Sequence, residues 1–381
     1  MPVRRSALIP SALSFFLVTL NASMTTTALP SIGRDLTGAG LSWVLTGYSL
    51  VFAICLLPAG AWADRIGPAR AFTAGVSVFA GTSIVCALAP DLRVLLIARA
   101  CQGAAAAVVL PAGLSMLNGD TTTRARDVGR WAAAGAVALV VGSPLGGAVT
   151  SGLGWQASFW LNLPVSVIVL ATAVGHREAT ARATTTSGVT TLLRSAPVLL
   201  SSATGFALNF ASYGAIFVVT FLLQQQLGRS AWTTGVVFVP MTLLIIPANL
   251  AAGQLGARLG VGRTMLLGQG LMAVGLVGLC FTDTAIWQLT GWLLPIGAGA
   301  GLVAPTATTL MLTGVPTDRS GLGSGLLNAA RQLGSGAAPA IFGVLLAGAD
   351  FMTGFRISLL LALIAITLPA VFRPRVLVAC A

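Results

Sequence analysis

Twelve runs of about twenty apolar and small residues succeed one another along this chain, with almost no charge inside any of them. At about 1.5 Å of rise per residue, a helical run of that length crosses the ~30 Å hydrocarbon layer of a bilayer. The runs fall at 8–29, 41–61, 71–89, 94–117, 131–150, 158–175, 197–223, 234–256, 264–281, 287–311, 321–348 and 356–372. A soluble architecture cannot hold them. Of 381 residues, 56% are apolar and 8% charged, whereas soluble domains are about 25% charged, and so few charges cannot cover so large an apolar content. The predicted fold class is an all-α membrane protein with twelve transmembrane helices, because a helix satisfies its own backbone polar groups inside lipid.

The same composition removes whole function classes. All 21 basic residues are arginine, so there is no Walker lysine and no nucleotide-driven pump within the chain. The net charge of +12 is spread singly or in pairs between apolar runs, which fits membrane topology rather than nucleic-acid binding. One histidine, His176, and five scattered cysteines offer no metal-ligand spacing, and the cysteines read as small hydrophobes. Expected, then, are no cofactor, no metal, no nucleic acid and no enzyme activity.

The arginines also give orientation. With a cytoplasmic N-terminus, fifteen fall in inside segments and four (Arg34, Arg93, Arg229 and Arg356) outside, leaving Arg99 and Arg331 within runs. This asymmetry predicts an even number of spans with both termini cytoplasmic. The Thr- and Arg-rich stretch 176–196 reads as a cytoplasmic linker between two six-helix halves, 1–175 and 197–381. Gly60-Ala-Trp-Ala-Asp64-Arg65-Ile-Gly67-Pro-Ala-Arg70 is echoed by Gly253-Gln-Leu-Gly-Ala-Arg258-Leu-Gly260-Val-Gly-Arg263, each after the second span of its half. Such a duplication predicts alternating access around a central cavity.

Several segments resemble the major facilitator superfamily, specifically its drug–proton antiporters. Gly60–Arg70 is similar to the superfamily pattern G-x-x-x-D-R-x-G-x-x-R, Arg99 with Gln102-Gly103 to the fourth-helix R-x-x-Q-G, and Gly142-Ser-Pro144-Leu-Gly146-Gly147 to the exporters' fifth-helix motif. Leu20–Pro30, Trp43–Tyr48, Trp155, Asn162-Leu-Pro164 and Arg331-Gln332-Leu-Gly334 look like the subfamily usually built with fourteen helices. Stretch 176–196 is too short for two extra helices, so the resemblance implies a twelve-helix version. The family's first-helix Asp is Asn21 here, and its Asn is Thr26.

The resemblance implies an exporter of hydrophobic or amphipathic small molecules, with proton antiport. It implies a cytoplasmic gate in which Gly60 and Gly67 allow a tight turn, Asp64 faces the start of helix eleven near Ser320 and Gly321, and Arg65 and Arg70 complete the loop. Glycines 142, 146 and 147 let helix five approach its neighbours, and Pro144 bends it. Read from the residues themselves, Arg99 is costly in a span unless it faces a polar interior, and Gln102 shares its face. They are candidates for the substrate cavity or for coupling, and the resemblance adds Asn21 as a separate candidate. Arg331, Asn328 and Gln332 make a similar patch in helix eleven, and Gln224 ends helix seven near its outer mouth. Tryptophans 43, 155 and 292 are expected at the interfaces.

The proton is where the sequence strains against the resemblance. All nine acids fall at loops or helix ends, and arginine does not release its proton near neutral pH. Coupling is therefore expected to be weak or to rest on Asp35, at the outer end of helix one. The expected partners are a small-molecule substrate, the bilayer and protons, for a monomer in the cell membrane. A metabolite or sugar exporter, or a weakly coupled facilitator, is the alternative within this fold.

Overall fold

The computed structural model describes residues 7–36, 38, 40–117, 121–173, 192, 195–282, 285–316, 320–348 and 350–378. Among them there is no strand. The helices are α1 (Leu8–Asp35), α2 (Trp43–Ile66), α3 (Pro68–Ala87), α4 (Leu92–Ser115), α5 (Thr121–Leu153), α6 (Gln156–Trp160) and α7 (Asn162–Ala173). Next comes α8 (Ala196–Phe221), which closes in a π turn at Leu222–Gln226. Then follow α9 (Ala231–Leu259), α10 (Val261–Cys280), α11 (Ile286–Thr313), α12 (Ser320–Leu346) and α13 (Phe351–Val378). Eleven segments of the described residues are long and apolar enough to span a membrane, with α6 and α7 counting as one. The twelfth expected run is α12, 27 residues long, whose Gly, Ser, Asn328, Arg331 and Gln332 dilute its hydropathy without shortening it.

Two compact units divide the chain: Met1–Thr185 with Ser230–Gly235, and Thr186–Arg229 with Val236–Ala381. The predicted linker 176–196 lies outside the described residues except for 192, 195 and 196. The internal repeat has a backbone signature. Gly67 (φ 99°, ψ 133°) joins α2 to α3, and Gly260 (φ 86°, ψ 145°) joins α9 to α10. Each donates its N–H to the carbonyl four residues back (Ala63, Gly256) at 3.0 Å, and each carbonyl accepts from the residue four ahead (Ala71, Thr264). A positive φ with this ψ is open to glycine and strained for other residues. Helix prolines repeat too: Pro111 in α4 with Pro305 in α11, and Pro144 in α5 with Pro339 in α12.

Several helix ends depart from the sequence expectation, among them α2, which ends at Ile66 rather than 61, and α13, which runs Phe351–Val378 rather than 356–372. Helix α1 runs through Pro30 to Asp35 instead of stopping near 29, because a membrane helix tolerates a proline where neighbouring groups satisfy the freed backbone. Helix α5 begins at Thr121, ten residues before the expected 131, and its 33 residues extend about 50 Å. Its apolar span is only Ala133–Leu153, and Asp127 and Arg130 pair across one turn at 3.4 Å on the polar extension. The large apolar side chains turned outward, such as Ile97, Leu250 and Val344, suit a lipid-facing surface.

One end is built on a carboxylate outside the spans. Asp350 accepts hydrogen bonds from the backbone N–H groups of Met352 (3.2 Å) and Thr353 (3.0 Å) and from the Thr353 hydroxyl, capping α13. The Thr353 contacts hold its carboxyl below the usual carboxylate range. A depressed pKa stabilises the cap above the unfolded carboxylate range and loses that contribution as pH falls through the folded value. The protection of the Met352 and Thr353 amides, measured against their intrinsic exchange rates at each pH, is therefore expected to fall on acidification below about pH 4, and Asp350→Ala should show the lower protection already at pH 7.

Candidate functional site

Arg99, two turns into α4, is completely buried. Its Nε donates to the Val44 carbonyl oxygen at 2.9 Å, and its Nη1 donates to Gln102 Oε1. The guanidinium carbon lies 4.1 Å from the Tyr48 ring centroid and 6.0 Å from that of Phe159. Nη2 is buried without a hydrogen-bond partner. Around this group runs a chain of neutral polar side chains. Gln102 Nε2 donates to Ser83 Oγ at 2.7 Å, and Asn21 Nδ2 to Gln102 Oε1 at 3.4 Å. Asn162 Nδ2 donates to Asn21 Oδ1 at 2.9 Å and to Ser83 Oγ at 3.3 Å.

Five spans converge here, each for a local reason. Positions 99 and 102 are one helical turn apart and so share a face of α4. Gly103 brings α4 against α2, since an added Cβ would collide with the Tyr48 carbonyl. That close approach sets Val44 and Tyr48, one turn apart on α2, against the guanidinium. The break between α6 and α7 at Leu161 puts Asn162, fully buried, at the start of α7. Helix α1 carries Asn21 inward beside hydroxyls turned back onto their own helix, such as Thr25 on the Asn21 carbonyl at 2.7 Å. Burying an arginine within a span costs up to about 2.5–3.5 kcal/mol on insertion scales. Two hydrogen bonds to a charged donor at about 1.5–3 kcal/mol each and a cation–π contact of about 2 kcal/mol offset it. Among the described residues all its hydrogen-bond partners are neutral, so none of them balances the positive charge.

Of the sequence candidates, the structure brings together Asn21, Arg99 and Gln102. Asp35 stands apart: its Oδ2 accepts from Trp155 Nε1 at 2.9 Å. Trp155 is 1% exposed, so it is a buried strut and not the interfacial anchor expected, whereas Trp43 and Trp292 are exposed. Gly60 does not make a turn, because it lies inside α2 with open space where a Cβ would be; the turn belongs to Gly67 alone. Arg65 is exposed at the end of α2, and Arg70 is exposed in the first turn of α3. The side chains of Asp64 and Ser320 fall outside what is described.

In α5, an added Cβ on Gly142 would stand 2.6 Å from Ser23 Cβ, and one on Gly146 2.7 Å from Met24 Cα, so both sit in the α1–α5 seam. Gly147 faces the Ala231 backbone, and Pro144 lies between these glycines.

The helix-eleven patch does not form as expected. Arg331 Nη2 reaches α11, donating to the Ala304 carbonyl (2.8 Å) and Thr308 Oγ1 (3.0 Å). Asn328 is exposed, and Gln332 Oε1 accepts from Ser335 on its own helix. Gln224 is buried inside the π turn, with Gln225 and Gln226 exposed after it. An apolar cavity of about 250 Å³ within the second unit is lined by Leu200, Met265, Leu310, Thr309 and Thr313. Both threonine hydroxyls bond their own helix, so it presents little polar recognition. Sequence reasoning missed Ser83 and Asn162 as cluster members. The signal for Asn162 was a polar amide beside Pro164 inside an apolar run, which is rare without a role.

The Major Facilitator Superfamily model matches residues 11–339. The chain belongs to this superfamily. It is 29% identical to the methylenomycin A resistance protein of Bacillus subtilis, over 96% of this chain and 94% of that one. It is also 29% identical to multidrug resistance protein Stp of Mycobacterium tuberculosis, over 89% and 75%. Among solved structures, a bacterial homologue of the human lysosomal transporter Spinster, inward-facing and unoccupied, superposes with a TM-score of 0.75 at 17% identity over 98% and 96% of the two chains. That likeness establishes the fold alone. A major facilitator chain with these spans is a multi-pass membrane protein.

Proposed function

We propose that this major facilitator protein exports amphipathic small molecules, antibiotics among them, from the cell by alternating access, and performs no chemistry on them. One observation carries the reading: a buried arginine cluster, walled by neutral polar groups, in a chain whose relatives are named for drug and antibiotic resistance. The arginine distribution supports placement in the cytoplasmic membrane with both termini inside. The segment from Asp64 to Arg70, at the α2–α3 turn, acts as the cytoplasmic latch, the small residues of α5 let its seam with α1 shift, and the transporter works as a monomer with substrate and lipid as its partners. Expression in an efflux-deficient host should lower accumulation of methylenomycin A or of other members of a toxin panel, and raise resistance severalfold. Unchanged accumulation across the panel, with the protein present in the membrane, would overturn the reading.

A second reading concerns the driving force. The cluster's hydrogen-bond partners are all neutral, and Asp35 is engaged by Trp155, which favours a weakly coupled facilitator over tight proton antiport. In proteoliposomes, substrate counterflow should proceed with little dependence on an imposed pH gradient. Strong gradient-driven uptake that is lost in Asp35→Asn would instead establish coupling through that carboxylate.

A further inference from the structure

We propose that the Arg99 cluster is a monoanion-binding site and that its occupant is the carboxylate, or an equivalent singly charged head, of an amphipathic substrate. That identity for the occupant rests on the exporter reading; the anion site does not. The argument begins with charge. A fully buried guanidinium hydrogen-bonds the Val44 carbonyl and Gln102 Oε1, both neutral, and Nη2 bonds nothing. Charged groups taken from water without an opposite charge are costly, and the acid at the end of α1, Asp35, is held by Trp155.

Gln102, Asn21, Asn162 and Ser83 form a connected set of amides and a hydroxyl. Such groups can solvate an anion but cannot neutralise the arginine. Asn162 Oδ1, a buried acceptor without a partner, suits a hydroxyl or amide N–H on the same ligand. Tyr48 and Phe159 flank the guanidinium and are themselves buried. One arginine balances one negative charge, and its planar fork matches a carboxylate. A dication would add charge of the same sign and is excluded by repulsion in a low-dielectric setting.

The test uses the purified full-length protein in lipid nanodiscs, in a zwitterionic buffer, with 1-naphthoate, its neutral methyl ester and chloride as probes. The acid should raise the thermal midpoint by about 2–4 °C and the ester should not. Asn21→Asp or Gln102→Glu places a carboxylate inside the cluster, so either variant should remove the response to the acid; the second covers failure of the first to fold. An ester as effective as the acid, or an undiminished response in folded variants, overturns the site. Stabilisation by chloride alone keeps the anion site but overturns the substrate carboxylate as its occupant. In inside-out vesicles, absence of naphthoate transport despite stabilisation counts against the exporter reading and leaves the anion site standing. Transport of the ester without stabilisation by the acid overturns the site and leaves export standing.

Discussion

Arg99→Gln is expected to reduce export by about 10- to 100-fold, the loss of one charge-assisted interaction of about 1.5–3 kcal/mol at the site, while the protein still reaches the membrane. Glutamine keeps a donor near the Val44 carbonyl and Gln102 Oε1 but removes the charge, the stacking on Tyr48 and the unpartnered Nη2. Folding should survive, because the variant no longer buries a charge. Arg99→Lys tests the fork separately from the charge. A point ammonium cannot serve the Val44 carbonyl and Gln102 together in the same planar geometry, so intermediate transport is expected. The measurement is initial-rate efflux of a transported probe normalised to membrane protein. Rates in both variants equal to wild type would show that the cluster is structural only.

Gly103→Val should damage both stability and transport. A Cβ at 103 collides with the Tyr48 carbonyl oxygen, which is backbone and cannot rotate aside. Helices α2 and α4 must then separate, which moves Val44 and Tyr48 away from the arginine one turn earlier on α4. Overpacking of this kind costs about 1–3 kcal/mol even where side chains can yield, and a backbone clash lies at the upper end. The thermal midpoint of the purified protein should drop by several degrees, and efflux should fall with it. Gly81→Ala is the control, because nothing lies within 4 Å of its added Cβ. A stable, active Gly103→Val would mean that the α2–α4 seam is looser than the close approach implies.

Part of the site was legible because burying charge is so costly. An arginine inside an apolar run needs polar company, and the one-turn spacing to Gln102 supplied it. Asn21 was singled out only through the family's first-helix signature, which has Asp at that position. Ser83 was not, since a serine hydroxyl can bond its own helix and is common in membrane spans, and Asn162, though conspicuous as an amide, could not be placed with Arg99 until the break at Leu161 was seen to set it at the start of α7. The helix-eleven patch misled by the same logic in reverse. Arg331, Asn328 and Gln332 are close in sequence, yet the arginine spans to α11, the glutamine bonds its own helix and the asparagine is exposed.

The sequence by itself determined that the chain crosses a membrane many times as helices, because hydropathy and charge act along the chain and need no partner. It did not place the turns: Gly60 and Gly67 were both expected to turn, yet Gly60 is helical and only Gly67 takes a positive φ, because glycine permits that conformation without requiring it. Tertiary structure alone decided which polar groups meet Arg99, that Trp155 is buried on Asp35, and that the arginine's hydrogen-bond partners are all neutral. Those outcomes depend on which faces of separate helices are pressed together, and a one-dimensional pattern does not encode that distance.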